Sequence, residues 1–247
     1  MTTRIWLRGM RCALGLATAA AILAPAVAQA QIARVGSSSE TKQAIGFNLG
    51  YFALRGEDAR VNGDVLFNDL ESLAFDIKDF NGASVGAEWL VGLGDFIEAG
   101  VGANYYQRTV PSLYRNLVNT NGSEIEQDLK LRVVPMSATV RFLPIGRNGF
   151  APYVGAGIGV FNWRYSETGE FVDDNSDVFR ASFHASGNVV GPVILAGLRA
   201  PVGDRWTVGG EIRYQKAEGD TSAEPGLLGD KIDLGGWTTS FTMHVRF

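Results

Sequence analysis

The chain has 247 residues and a formal net charge of −4. This acidic balance argues against a nucleic acid as partner. The single cysteine, Cys12, lies in a segment that we expect to be removed, so disulfides and cysteine-ligated metals are excluded from the rest of the chain.

The N-terminus has the order of a secretory signal peptide. Three arginines precede an apolar run over residues 13–23, and small residues follow at Ala28 and Ala30. This order predicts cleavage after Ala30. A membrane anchor is the alternative, although the run is shorter than the roughly 20 residues that span a bilayer. We therefore expect a signal peptide over residues 1–30, a lead-in over 31–43 and one domain over 44–247, with a formal net charge of about −7 once the three arginines are lost.

Beyond the signal peptide the chain consists of short segments of alternating polarity, without an apolar run long enough for a transmembrane helix. In the last segment Trp237, Phe241 and Phe247 fall on one face of a strand, and Ser240 and His244 fall on the other. An apolar face of this kind suits a barrel whose outside is lipid. The predicted strands are residues 44–55, 82–93, 96–108, 128–142, 151–165, 189–202, 205–216 and 231–247.

Two of these strands are less regular than the others. In strand four the apolar residues change parity at Pro135, and we expect a β-bulge there. In strand five the faces of Phe161 and Trp163 stay open.

The connections between the strands alternate in length. Short turns are predicted at residues 94–95, 143–149 and 203–204, and long loops at 56–80, 109–127, 166–188 and 217–230. A soluble sandwich has no reason to place all its long loops on one side. The sequence therefore predicts an all-β fold, an eight-stranded antiparallel transmembrane β-barrel with short periplasmic turns and long extracellular loops.

Three segments of the second half carry a family resemblance. They are VVPMSATVRF in strand four, PYVGAGIG in strand five, and DRWTVGGEIRY followed by DKIDLGGWTTSFTMHVRF at the end. In this order they resemble the small outer-membrane barrels of the OmpW and OmpA-like group, with a layout nearest to OmpW. The resemblance implies a monomeric barrel with a narrow apolar lumen that passes small hydrophobic compounds. The first half resembles the group only by layout, and the charges predicted inside the barrel depart from it.

Charged residues recur at inward positions close to the short turns. An eight-stranded barrel is just wide enough for side chains to fill it, so we expect these groups to pair and close the lower lumen. A gated ion path is the alternative. The predicted lumen charge cluster is Glu88, Glu98, Arg141, Arg199, Glu211, Arg213 and Arg246.

A second set of residues is predicted to line the upper lumen. Apolar and aromatic side chains there could receive an apolar ligand, although packing of the interior is the simpler interpretation. This possible ligand path consists of Tyr106, Phe161, Trp163, Val193 and Leu195.

Large aromatic residues at outward positions are predicted to lie at the membrane interfaces, because they would be a liability in water. A lipocalin-like soluble carrier is therefore the weaker alternative. These residues are Trp89, Tyr105, Trp206, Tyr214, Trp237 and Phe247.

The predicted long loops are acidic. The apolar content of residues 56–80 is too high for a solvated loop and predicts a short helix or a cap over the mouth. Asp173, Asp174 and Asp177 could hold a divalent cation, but no EF-hand spacing is present. We therefore predict neither a metal site nor a cofactor.

No feature of the sequence predicts an enzyme. His184 and His244 are the only histidines, and no nucleophile motif or paired carboxylate spacing accompanies them.

The predicted protein is a monomeric barrel of the outer membrane of a Gram-negative-type bacterium, acting as a narrow channel or binding barrel for small hydrophobic solutes. The alternative is a structural or surface-interaction barrel that acts through its long acidic loops. The predicted partners are outer-membrane lipid and lipopolysaccharide, the barrel-assembly machinery through the C-terminal strand, and a small hydrophobic solute. A continuous cavity would favour the channel, and a filled lumen would favour the alternative.

Overall fold

The computed structural model describes residues 43–173 and 175–247. The predicted signal peptide and almost all of the predicted lead-in lie outside the described residues, and the first strand begins at Gln43. Within the described ranges, no helix is both long and apolar enough to cross a membrane.

Eight antiparallel strands form a closed barrel in which the first and last strands pair directly. The predicted eight-stranded barrel is therefore confirmed. The barrel strands are β1 (Gln43–Leu54), β2 (Gly82–Gly92), β3 (Ile97–Val118), β4 (Glu124–Phe142), β5 (Ala151–Val172), β6 (Val178–Val202), β7 (Trp206–Gln215) and β10 (Gly236–Arg246). Two short strands, β8 (Glu218–Asp220) and β9 (Lys231–Asp233), pair with each other outside the barrel.

Short turns occupy one end of the barrel, which we call the turn end. They connect β2 to β3, β4 to β5, and β6 to β7, as predicted. Gly94 and Gly203 have φ values of 113° and 76°, a region that L side chains rarely adopt. Glycine at these positions therefore lets the chain reverse within a few residues.

The outer wall of the barrel is apolar near the turn end. Side chains alternate along each strand, and outward positions such as Leu49, Ile158 and Val190 are 62%, 64% and 65% exposed. These residues and the other outward apolar side chains form an exposed surface, which we call the apolar belt. Such a surface would be a liability in water. The apolar face predicted for the last strand, with Trp237, Phe241 and Phe247, is likewise exposed.

Two of the predicted long loops are mostly strand, which corrects the sequence interpretation. β3 and β4 extend to a tip at residues 119–123, and β5 and β6 extend to a tip at 173–177. In both hairpins many of the outward residues near the tip are polar and the tip itself is short. The sequence pattern therefore does not indicate that strand pairing continues there. These four strands have 19 to 25 residues, against 10 to 12 in the other four barrel strands, so one wall of the barrel is much taller.

The predicted bulge at Pro135 is wrong. The pairing of β4 with β5 continues through Pro135 and Phe161 without a shift, and inward and outward residues alternate along the whole of β4. Near the turn end the outward residues, such as Val140, are apolar. Farther up the inward residues, such as Leu129, are apolar. The environment of the two faces changes, and the strand keeps its phase.

The other end of the barrel is covered by two connecting segments, residues 55–81 and 216–235, which we call the cap. The first contains the helix α1 (Val65–Asp69) and 3-10 turns at Glu57–Ala59 and Ile77–Phe80, which confirms the predicted short helix. The second contains β8 and β9. The predicted last strand therefore began too early, because Lys231–Asp233 pairs with β8 and the barrel strand starts at Gly236.

Candidate functional site

The lower lumen contains a buried network of charges centred on Arg141, which we call the charge belt. Arg141 is fully buried on β4, and its Nη2 lies 2.5 Å from Glu88 Oε2 and 3.0 Å from Glu211 Oε2. Arg213 lies on the other side of Glu211, at 2.9 Å from Oε1. The non-adjacent strands β2, β4 and β7 thus contribute to one network across the lumen, which an eight-stranded barrel is narrow enough to allow.

A second part of the charge belt lies closer to the turn end. Arg199 Nη2 is 2.5 Å from Glu98 Oε1, and Arg147 contacts the same oxygen at 3.4 Å. The half-buried Arg246 lines a small cavity together with Glu98 and Arg199. The structure thus brings all seven residues of the predicted cluster into the lower lumen.

Three further members of the charge belt were not predicted. His244 Nε2 lies 2.8 Å from Glu88 Oε1, and the Tyr153 hydroxyl donates to Glu211 Oε2 at 3.0 Å. Both residues lie at inward positions in the alternation of their strands, and this parity could have identified them from the sequence. Arg147 lies in a turn, where parity gives no information. Gly46 faces His244 directly, and a Cβ atom there would lie 2.3 Å from the ring, so glycine leaves room for the imidazole.

The upper lumen is filled by a hydrophobic core shared between barrel and cap. Phe161 and Trp163 point inward and are 0% and 1% exposed, which settles the face that the sequence left open. They belong to the same buried cluster as Tyr106, Val193 and many cap residues, including Val65, Leu66, Phe75, Phe80 and Ile232. The fifth predicted residue, Leu195, packs lower down with Leu143, Ala151 and Tyr153. All five predicted residues are therefore packed against other side chains.

A small cavity with both polar and apolar lining residues lies between the hydrophobic core and the charge belt. Its lining includes Ser84, Asn104, Arg213 and Gln215, and its volume is about 20 Å³. A space of this size holds about one water molecule and excludes a hydrophobic solute.

Ion pairs fasten the two segments of the cap to each other. Asp64, which is fully buried, accepts hydrogen bonds from the Arg60 side chain, from the Phe67 N–H at the start of α1, and from the Asp233 N–H at 2.8 Å. The Asp233 carboxylate in turn lies 3.0 Å from Arg55 Nη1. The cap also joins the barrel wall, because the Tyr106 hydroxyl donates to the Phe80 carbonyl.

A buried carboxyl holds α1 against the tall wall. The Tyr165 hydroxyl lies 3.1 Å from Asp69 Oδ2, and Glu167 on the same strand is also buried. Burial, reinforced by the neighbouring Glu167 carboxylate, raises the pKa of Asp69 well above its ordinary value of 3.8. The charge of Asp64 acts in the same direction. The folded cap therefore favours the protonated form of Asp69.

This raised pKa predicts that the cap is held less firmly at high pH. Because the folded cap binds the Asp69 proton more tightly than the unfolded segment does, the contribution of Asp69 to the stability of the cap is fully present below about pH 4 and is lost as the pH rises through the raised pKa. We expect amide hydrogen exchange of residues 65–73, corrected for intrinsic rates, to be less protected at pH 9 than at pH 5. Burial raises the pKa of Glu167 to about 7, so this group titrates over the same pH range. Asp69→Asn/Glu167→Gln should therefore remove most of this difference, and an unchanged pH dependence in that double variant would contradict the prediction.

The predicted interface aromatics form two groups on the outer wall. Trp89, Trp206 and Phe247 lie toward the turn end, and Trp206 and Phe247 are 44% and 55% exposed. Tyr105, Tyr214 and Trp237 lie nearer the cap, where the rings of the last two are 4.8 Å apart. Aromatic side chains thus flank the apolar belt on both sides.

The acidic tip of the hairpin between β5 and β6 is organised as a turn. Asp173 Oδ1 accepts hydrogen bonds from the N–H groups of Asn175 at 2.9 Å and Asp177 at 2.8 Å, while Asp174 lies outside the described residues. Among the described residues no group of three histidine, cysteine or acidic side chains is placed to hold a metal ion. The expectations of no metal, no cofactor and no enzymatic activity stay predictions.

Comparisons with known proteins concern the fold. No family model and no curated protein matches the chain. Solved structures of outer-membrane proteins are similar to it. OprG from Pseudomonas aeruginosa is 13% identical, with 84% of this chain and 97% of that chain covered and a TM-score of 0.48. Outer membrane protein W of E. coli is 15% identical, with 85% and 100% covered and a TM-score of 0.40. The outer membrane protease OmpT from Escherichia coli is 9% identical, with 87% and 99% covered and a TM-score of 0.45.

Proposed function

We propose that the protein is an outer-membrane β-barrel whose lumen is closed and which acts at the cell surface through its cap and its two tall hairpins. The observation that carries this proposal is the filled lumen, because packed side chains occupy it from the charge belt to the cap. This corresponds to the surface-interaction alternative of the sequence analysis.

The outer wall supports the placement in a membrane. The exposed apolar belt, flanked by aromatic side chains on both sides, matches the surface that a barrel presents to lipid. A closed barrel also satisfies the backbone groups of its strands internally, as a bilayer requires. In this placement the turn end is periplasmic, and the cap and hairpins are extracellular.

The interior argues against an open pore at rest. Ions would have to pass the buried pairs of Arg141 with Glu88 and Glu211, and apolar solutes would have to pass the hydrophobic core under the cap. Neither route exists without a rearrangement.

The tall wall offers a surface for interactions outside the membrane. Its hairpins are tied together near their tips, since Asn119 Nδ2 of the first hairpin donates to Glu170 Oε2 of the second at 3.1 Å. Within the second hairpin, Arg180 lies 3.2 Å from Glu170 Oε1. A four-stranded sheet held in this way presents its outward face as a rigid surface.

The channel for small hydrophobic solutes stays a second candidate, and the aromatic side chains of the upper lumen favour it. Phe161 and Trp163 would line such a path once the cap had moved. A solute of this kind would therefore have to displace cap residues such as Phe80 before it could bind.

Conductance in planar bilayers tests the proposed function. The refolded protein without residues 1–30 is expected to insert and give no discrete openings, because the lumen is filled. Insertion is verified by the heat-modified mobility of protein recovered from vesicles of the same lipid, and a general porin serves as the conducting control. Discrete openings that a hydrophobic solute blocks would overturn the proposal and establish the channel.

A further inference from the structure

The outward face of the tall wall, which β3 to β6 form, carries three cations close together. Arg132 on β4 and Arg164 on β5 are direct partners across the two strands, and Lys130 lies one pleat farther from the turn end. We call these three residues the cationic row. His184 on β6 lies beside it, at the level of Lys130, because both residues pair with Ser166.

The side chains of the cationic row have no acidic partner among residues 43–173 and 175–247. No carboxylate oxygen of these residues lies within 4.0 Å of Lys130, Arg132 or Arg164. Arg132 makes one long hydrogen bond, from Nη2 to Asn162 Oδ1 at 3.5 Å. The nearest acid on this face, Asp128, lies one pleat beyond Lys130, opposite Pro111 and Thr168.

This arrangement disfavours the isolated barrel. Like charges directly opposite each other on antiparallel strands are destabilising. The arginines of the charge belt show the contrast, since Arg141 and Arg199 are each paired with glutamate. An external anion between Arg132 and Arg164 would relieve the repulsion, and guanidinium groups bind phosphate oxygens with two parallel hydrogen bonds.

The height of the cationic row identifies where that anion would come from. Arg132 lies ten residues above the outward Phe142, and Arg164 lies ten residues above the outward Val154. Ten residues rise about 33 Å along a strand, which a tilt of about 40° reduces to about 25 Å. This is about the height of the apolar band on an outer-membrane barrel. Below the row the outward positions first hold Val134, Asn162 and Asn188, and the next pleat holds the apolar Met136, Val160 and Val190.

We propose that Lys130, Arg132 and Arg164 form a site on the outer wall that binds the phosphate groups of lipopolysaccharide in the outer leaflet. The proposal rests on the proposed placement in the outer membrane. It identifies the lipid as a specific partner of the tall wall, held by charge at the edge of the apolar belt.

Binding to lipid A with and without its phosphates tests the site. The probes are vesicles that contain bisphosphorylated lipid A and vesicles that contain dephosphorylated lipid A, both in EDTA so that divalent cations do not bridge acidic groups. The test variant is Arg132→Gln/Arg164→Gln, which removes two charges and keeps polar side chains. The control is Lys216→Gln, which removes an exposed cation paired with Glu218 outside the row.

We expect the inserted double variant to lose at least about tenfold in affinity for the phosphorylated lipid A in the vesicles, and the control to change less than about twofold. The inserted, unsubstituted barrel should bind dephosphorylated lipid A as weakly as the inserted double variant binds phosphorylated lipid A. If the folded double variant inserts and binds both lipids like the unsubstituted barrel, the site is refuted and the membrane placement stands. If the unsubstituted barrel fails to insert into either vesicle, the proposed function fails and the site with it.

Discussion

Replacing Arg141 by alanine is expected to lower the free energy of unfolding of the barrel by about 3–5 kcal/mol, because the change leaves two buried carboxylates without their central partner. Arg141 is fully buried between Glu88 and Glu211. Arg213 and His244 would still contact these acids, but from one side only. The loss is therefore expected to come from uncompensated charge more than from lost volume.

Urea unfolding in detergent micelles or lipid vesicles, followed by heat-modified gel mobility, measures this effect. The matched control is Arg180→Ala, because Arg180 is an exposed arginine with a glutamate partner. An exposed pair contributes about 0–1 kcal/mol, so the control should unfold close to the unsubstituted barrel. Equal stabilities of the two variants would show that the charge belt does not hold the lower barrel together.

Replacing Asp64 by alanine is expected to release the cap while the barrel stays folded. Asp64 accepts hydrogen bonds from both cap segments and pairs with Arg60, whose side chain is almost fully buried. Removing it leaves a buried cation, a loss of about 3–5 kcal/mol that falls on the cap alone. Surface segments can open independently of the core at free energies in this range.

Limited proteolysis and hydrogen exchange of residues 57–80 measure the release. Both should increase strongly in Asp64→Ala, with unchanged heat-modified mobility of the barrel. Asp58→Ala is the control, because Asp58 is an exposed acid of the same segment. A cap that stays protected in Asp64→Ala would mean that the hydrophobic core alone holds it, and the role given to the buried ion pair would be wrong.

The barrel itself could be predicted from the sequence because lipid imposes a simple rule on the strands. Near the turn end every outward residue faces an apolar solvent, so period-two alternation identifies β1, β2, β7 and most of β10 to within a few residues. The inward charges of the charge belt followed from the same parity.

The upper half could not be predicted in this way because the rule reverses there. Beyond the apolar belt the outward residues are polar or charged, as Lys130 and Arg132 are, while the inward Leu129 and Leu131 pack under the cap. In the sequence, this reversal of polarity between the two faces resembles a shift of strand phase at Pro135. For the same reason the tall hairpins resemble loops. The cap was foreseen only as apolar content, since its contacts join residues about 170 apart, such as Asp64 and Asp233.

The unequal strand lengths also bear on how the barrel folds. β5 and β6 have 22 and 25 residues joined by a tip of a few residues, whereas the seam between β1 and β10 joins strands of 12 and 11 residues that are almost 200 residues apart in the chain. Local pairings require little loop closure and form early, while distant ones form late. We therefore expect the tall wall to be the nucleus of folding and the seam to close last. The rate at which the seam closes should then determine how soon the cap segments can pack into the lumen.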